Sequence, residues 1–565
     1  MLNRHTHRLD ARSPRLILGA LTLLASSVAA QVQTNSPQGS LSINGTGHLE
    51  SGILVATNSQ SSSTPSATAP AYTHRTAPFA SLELRMEGNP NRPFVLAIGT
   101  IAASPFIIGA QRVELDFATI QTFIDGSAPG IYNSFANTGN SGSWSMILPS
   151  GVPANFPTYS LQGAVFDPTV VNGVRLTGTV SLQSLNTIEV LNRNLLDAFG
   201  QAPRYPQYLA SLLSSTFLYN GFNAGQWITG AIDDMTPSPS EGTPLGLDYI
   251  GSGPNTSIAA ALPTGAPTPA QVVVEHLEMR FRFSMSCSNL GTTLMSSRDR
   301  EYELRVKEQN GVWRFDGDQR AVECEVQLLV GPAAIPTAQN QGLDARIIVH
   351  VSDELGQHGG IASILCTGPQ LQNINGFGQS TTSASGSQLM QQSNGDGDTW
   401  FLGVNVALAG TSRLPFVENG SGPRDTYSVT VTWNDNTISG PYSVTLRSSI
   451  DVAANPALAL AAMPGLTAPA TTATLSQAGL AGATCAVNFT DGVFPVGVAL
   501  GQLEVQVQQG GNNPYYNMDG YIPVPGLAQT LSLCTPYLGG GSSTIKVARQ
   551  DIFGAEFFTN TTLNL

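Results

Sequence analysis

Few side chains in this sequence are of a kind and spacing that could do chemistry. Glu275 is the sharpest. It interrupts an alternating apolar face made of Val273, Leu277, Met279, Phe281, Phe283, Met285 and Cys287. A carboxyl on such a face is desolvated, its pKa rises, and it gains the basicity a general base needs. Glu275 also stands at the start of its strand, where a rim carboxylate in water is the plainer reading. Asp197, the one nearby acid that could partner it, is expected to face solvent.

Other candidates have less geometry behind them. Asn394-Gly-Asp-Gly-Asp-Thr399 offers Asn394, Asp396 and Asp398 as oxygen ligands at the start of a calcium loop. The sixth position is Thr399 rather than Gly and the twelfth is Asn405 rather than Glu, so a solvated turn is expected. Beyond residue 80 the histidines are His276, His350 and His358; with Asp353 the last two suggest a metal, but on a strand end and a Gly-rich turn. No Gly-x-Ser-x-Gly elbow precedes a helix. The expectation is no cofactor and no resident metal. Tyr515-Tyr516, in a Gly/Asn/Pro loop, are the best candidates for stacking on a sugar ring. Trp144, Trp313, Trp400 and Trp433 offer the same chemistry but read as strand residues of a core.

An apolar run from Leu16 to Ala25 follows Arg4, Arg8, Arg12 and Arg15 and precedes Val28-Ala29-Ala30. A basic flank, a short apolar stretch and small residues at −3 and −1 make a secretory signal, with cleavage after Ala30. The run is too short to span a bilayer. The expectation is an exported protein: extracellular, cell-surface or periplasmic.

Export gives the five cysteines a meaning, because an oxidising compartment favours disulfides. Cys485 with Cys534 is the first expected pair and Cys287 with Cys324 the second, leaving Cys366 as a buried, unreactive thiol. Formal charge is −13, and removing a leader of net charge +3 takes it to −16. With only two lysines, Lys307 and Lys546, there is no basic stripe to neutralise phosphates. Nucleic acid and anionic lipid are therefore excluded as expected partners. No stretch after the leader is long enough to span a membrane, since Ala453 to Ala468 is broken by Pro456 and Pro464.

The elements that must position these residues are mainly strands. Of 565 residues only 11% are charged and 41% are hydrophobic, a composition suited to short strands and many turns. The fold expected is mainly β and multidomain, with β-sandwich modules and one α+β cone-like domain. Residues 31–76 read as a Ser/Thr-rich spacer, with one possible strand at Leu49–Ala56. Residues 77–186 read as a β-sandwich-like module, where Leu82, Leu84 and Met86 alternate with polar residues. Residues 187–335 read as the α+β domain. Leu191, Leu195 and Phe199 give a first helix. An i, i+3, i+4, i+7, i+8 stripe predicts a second helix over Pro206–Tyr219. Thr236 to Pro269 reads as a loop before the long strand that carries Glu275. Residues 336–455 and 456–565 read as two immunoglobulin-like β-sandwiches.

Two resemblances sit on these segments. Phe94-Val-Leu-Ala-Ile-Gly and Leu161-Gln-Gly-Ala-Val-Phe-Asp resemble a β-sandwich module of exported planctomycete-type bacterial proteins, which implies no activity. Asn310-Gly-Val-Trp-Arg-Phe-Asp-Gly-Asp-Gln-Arg320 is similar to the closing hairpin of cone-shaped domains like nuclear transport factor 2. That phrase, Ile364-Leu-Cys-Thr-Gly-Pro369, Tyr427-Ser-Val-Thr-Val-Thr-Trp433 and Ile545-Lys-Val-Ala-Arg-Gln-Asp-Ile-Phe-Gly554 stand in the order seen in exported proteobacterial proteins of unknown function. There, such a cone precedes immunoglobulin-like sandwiches. The function expected is an exported, non-catalytic binding or structural protein with an extracellular partner or glycan. The alternatives are an exported enzyme or small-ligand binder using a pocket of the α+β domain, and a carbohydrate-binding accessory protein.

Overall fold

The computed structural model describes residues 39–47, 56–57, 69–109, 111–126, 137–235, 243–254, 272–287, 292–333, 342–353, 355–368, 387–392 (less 390), 399–405, 425–446, 448, 450, 452, 455–466, 484–495, 500–509, 516–519, 528–534, 542–551 and 555–564. In 243–303 and much of 387–426 and 484–545 this covers the backbone alone. The fold is mainly β and multidomain.

The first module packs two sheets face to face. One runs Ser40–Ile43, Leu82–Glu87, Ser143–Leu148. The other runs Tyr72–Thr76, Val180–Ser184, Tyr159–Phe166, Phe94–Gly99, Gln121–Asp125. Alternate residues of each strand point inward, so Leu41, Ile43, Leu84, Met86, Phe94, Leu96, Leu161 and Val180 share one core. Two of these strands come from the segment expected to be a spacer. Ser40–Ile43 pairs antiparallel with Leu84–Glu87, and Tyr72–Thr76 pairs parallel with Val180–Ser184. Leu41 and Ile43 alternate within a Ser-rich composition that hid them. Ala56–Thr57, at the end of the other expected strand, pairs with Leu247–Asp248 of the α+β sheet.

In the α+β unit, helices Ile188–Gln201, Pro206–Ser211 and Ala224–Met235 pack on a sheet. Its order is Phe222–Asn223, Leu213–Tyr219, Val312–Gly317, Thr292–Gln309, Val272–Cys287, Thr243–Pro254, Ala56–Thr57. Thr187 caps the first helix by accepting from the Val190 amide, 3.3 Å away, and satisfies one orphan donor of the first turn. The second helix is shorter than its stripe predicts. It stops at Ser211, and Leu213–Tyr219 is instead a strand parallel to Val312–Gly317. The run Ser214-Ser215-Thr216 explains the switch, because these hydroxyls compete with helical backbone bonds. Thr243–Pro254 is a strand inside the expected loop. Its register slips between Pro244 and Gly246 and between Tyr249 and Gly251. Bulges at such residues let a Pro/Gly-rich segment stay in a sheet.

The remaining strands do not divide at residue 455. One sheet runs Gln391–Gln392, Thr399–Asn405, Leu343–Ser352, Glu323–Pro332, Glu556–Asn564, Ser542–Asp551, Leu500–Gln509, Tyr516–Asp519. The last strand of the chain therefore lies parallel to Glu323–Pro332, with Val330 opposite Phe557. Against it packs a sheet ordered Ser387–Leu389, Ile361–Thr367, Asp425–Trp433, Ile438–Leu446. The core between them includes Ile347, Val349, Ile364, Tyr427, Val431, Trp433 and Phe557. Residues 323–332, expected in the cone, belong to this sandwich. The Pro-broken stretch Ala453 to Ala468 holds the helix Pro456–Ala462, with Pro456 in its first turn and Ala459 and Ala462 in the core. No helix among the described residues is long and apolar enough to cross a membrane.

Candidate functional site

The first helix is buried on nearly all sides, and its polar residues explain how. Asn192, Asn194, Asp197 and Gln201 are all buried between the first module and the α+β sheet. Buried polar groups are tolerable only when bonded. Asn194 accepts from the Ala77 amide at 2.7 Å and donates to the Arg75 carbonyl at 2.9 Å. Gln201 donates to the Asn44 carbonyl at 2.8 Å, and the Asn44 side chain accepts from the Glu83 amide at 2.7 Å. Ser81 and Tyr205 hydroxyls meet at 2.5 Å. Asp197 therefore does not face solvent as expected: it is 2% exposed, and its charge adds to burial in pushing the Tyr208 hydroxyl well up. These bonds cross the seam between the two units.

A second polar constellation lies at the far edge of the α+β sheet. The register between Thr292–Gln309 and Val312–Gly317 skips at Asp316, which pairs with neither Val306 nor Arg305. Bulges re-aim side chains. Here Asp316 Oδ1 accepts from Ser214 Oγ, from Thr216 Oγ1 at 2.8 Å and from Lys307 Nζ at 2.7 Å. Three donors converge on that one oxygen. The arrangement ties three strands together.

Next to it, the Asp318 side chain is 5% exposed, and desolvation raises its carboxyl to about 6 against the opposing pull of Arg320. Asp318 Oδ1 accepts from the Asn220 and Arg320 amides, both at 3.0 Å. Arg320 in turn donates to the Cys324 carbonyl at 3.2 Å and to the Ser443 carbonyl at 3.0 Å. The Ala321 amide donates to Tyr442 Oη at 3.1 Å. These bonds carry the chain from the α+β unit into the sandwich.

The interior expected to hold a pocket is packed on its helix side. Leu191, Leu195, Phe199, Tyr208, Phe217, Trp227, Leu304, Val306 and Phe315 form one core, with Phe199 and Phe217 rings 5.4 and 5.0 Å from Trp227. Glu275 has its backbone between Pro254 and Leu304; its side chain lies outside the described residues, as do those of His276, Phe281 and Phe283.

Comparisons with known proteins add little to this geometry. No family model matches the sequence, and no curated protein matches it. Among solved structures, the chain is similar to a tetra-tandem repeat from the extending region of a large adhesion protein. Identity there is 12%, over 87% of this chain and 98% of that one, at a TM-score of 0.14. It is also similar to dimeric latent PorU from Porphyromonas gingivalis, at 8% identity and a TM-score of 0.13, covering 94% of this chain and 34% of that one. Likeness this slight carries no argument about fold or function.

The other sequence candidates scatter. Asn394, Asp396, Asp398 and Tyr515 lie outside the described residues; Tyr516 starts a strand opposite Val507, its side chain likewise outside. His350 stands opposite Glu325 and Phe401 on its strand, while exposed His358 holds Asp435 through Nδ1 at 2.8 Å. Among the described residues no three His, Cys, Asp or Glu gather as metal ligands. Trp400 and Trp433 are core residues, Trp144 packs on Phe94 and Trp313 on the helix-side core.

The expected pair Cys287–Cys324 is not formed. Cys324 is a free, buried thiol in the sandwich, on a strand of a different sheet from Cys287. Cys366 is also free and buried, and burial pushes its thiol up to about 12. For Cys485 and Cys534 the backbone register sets Cys485 opposite Leu533 and Cys534 opposite Thr484. They are neighbours on paired strands, offset by one residue, and their side chains lie outside the described residues.

What sequence reasoning missed is an exposed aromatic pair in the first module, Phe106 and Phe117. Its signal was present: no charged residue occurs from Pro93 to Gln111.

Proposed function

We propose that this chain is an exported, non-catalytic binding or structural component that works at a cell surface, in the periplasm or outside the cell. The observation that carries this reading is the use made of its buried polar groups. Asn194, Gln201, Asp316 and Arg320 are spent on backbone and strand contacts, and the helix side of the cone is filled around Trp227. In this reading the cone keeps its resemblance to nuclear transport factor 2-like domains as architecture and not as chemistry. An extracellular partner or glycan is its ligand class, since a charge near −16 without a basic stripe disfavours nucleic acid.

Expression with residues 1–30 in a bacterial host tests the export half. The chain should leave the cytoplasm with Gln31 as its first residue; retention in the cytoplasm starting at Met1 would overturn it. A glycan array tests the accessory variant. Binding kept by Glu275→Gln and lost by Tyr515→Ser with Tyr516→Ser would place the site on the C-terminal loop.

A further inference from the structure

The first module carries a hairpin that belongs to neither of its packed sheets. Ile101–Ile108 and Gln111–Leu115 form a two-stranded sheet of their own, turning at Gly109 with φ 62°. The inner strand is pinned to the body. Gln111 donates to the Val174 carbonyl at 2.9 Å and accepts from the Leu176 amide at 2.6 Å, and Gln162 accepts from the Glu114 amide at 3.0 Å. The outer strand stands off. Phe106, Ile107 and Phe117 are 56, 54 and 61% exposed, and the two phenylalanine rings meet edge to face at 5.6 Å.

Three observations choose an occupant for this surface. First, Phe106 and Ile107 are consecutive, so they occupy opposite faces of their strand, and both are more than half in water. A protein or sugar docked on one face leaves the other wet; immersion in an apolar phase covers both. Second, the outer strand adds no charge to an apolar phase, since none occurs from Pro93 to Gln111 in a chain of −13; Arg112, opposite Ile107, and Asp116, beside Phe117, are the charges next to it. Third, three half-exposed large side chains offer roughly 300 Å², well short of the approximately 800 Å² per partner of a stable protein interface.

We propose that this hairpin is an interfacial membrane anchor, with Phe106, Ile107 and Phe117 entering the boundary between headgroups and acyl chains of a neutral lipid surface. The inference goes beyond the binding reading and does not need it, because such an anchor would serve an exported enzyme equally.

Co-sedimentation of the full chain with phosphatidylcholine vesicles tests it, beside vesicles that also contain phosphatidylglycerol. The wild type should bind the neutral vesicles, with no gain from the anionic lipid and no loss in high salt. Phe106→Ser, Ile107→Ser and Phe117→Ser together should lower partitioning at least about tenfold while leaving the melting curve unchanged. Ile438→Ser, at a 68% exposed position of the sandwich, should change nothing. Absence of wild-type binding would overturn the proposal, as would equal binding by the triple variant. So would a wild-type dimer in light scattering that the triple variant abolishes without any vesicle binding, which would give the patch to a second copy.

Discussion

Arg204 grips Glu83 with two parallel bonds, Nη1 to Oε1 at 2.8 Å and Nη2 to Oε2 at 2.6 Å, across the seam between the first β module and the helices. Bidentate geometry of this kind is specific as well as strong. Glu83 is nearly buried, while a third of Arg204 stays in water. Removing the cation leaves a carboxylate in the seam with no countercharge.

Arg204→Ala is therefore expected to destabilise the chain by about 2 kcal/mol, and Arg204→Lys to recover only part of it, because an ammonium cannot form the fork. Urea unfolding measures this as a drop in midpoint. No change in midpoint would mean the seam does not hold the two units together.

Acid should act on two groups in opposite directions. His74 is buried with its Nδ1 on Thr46 Oγ1 at 2.8 Å, and burial lowers its pKa from 6.5 to about 3. Its contribution is fully present above pH 6.5 and is lost as pH falls toward 3, by up to about 1.4 kcal/mol per unit. Asp318 is raised from 3.8 to about 6. Its contribution is present below 3.8 and is lost as pH rises through 6. His74→Asn should flatten the loss of stability between pH 6 and 4. Asp318→Asn, which removes the counterweight, should steepen it. Urea midpoints at pH 7, 6, 5 and 4 decide, and identical slopes in all three chains would contradict both assignments.

Cys324 and Cys366 should resist alkylation in the folded chain, because burial raises both thiols and hides both sulfurs. Both should label fully in denaturant without reductant. Peptide mass spectrometry reads the outcome, and a Cys287–Cys324 cross-link would contradict the fold at that strand.

Asp316 should matter for stability in step with the strands it ties. Asp316→Ala is expected to cost about 2 kcal/mol, taking the carboxylate acceptor from Lys307 and buried Ser214 and leaving them only Thr216 Oγ1. Gly317→Ala should cost a similar amount for another reason. Gly317 has φ 76°, and a Cβ there would stand 1.9 Å from the Leu218 carbonyl oxygen. Thermal melts of the two variants and their double test coupling: adjacent residues on one bulge should give less than the sum.

Much of this architecture was legible wherever one period governs a segment. Leu191, Leu195 and Phe199 specify a helix that Thr187 caps, and Tyr427 to Trp433 specify a hairpin strand. Legibility failed where local and tertiary preferences compete. Leu209, Leu212 and Leu213 continue a helical stripe into Ser214–Thr216, and the parallel partner Val312–Gly317 takes the chain over as a strand. Pairing of Glu323–Pro332 with Glu556–Asn564 spans more than two hundred residues, a distance over which no local pattern carries information. The candidate site was less legible still. Glu275 was conspicuous because it broke a pattern, whereas Asp197 reads as a solvent-facing helix acid, Asp316 and Arg320 stand near other polar residues, and all three acquire their surroundings only through the fold.

The binding or structural role proposed for this chain is open to one direct check. The direct measurement is turnover by the purified full chain, beside Glu275→Gln, over a panel of ester, peptide, phosphate and glycoside substrates. Background rates are expected for both chains on every substrate. A rate above background in the wild type that falls in Glu275→Gln would contradict that role and give the α+β unit a working carboxylate.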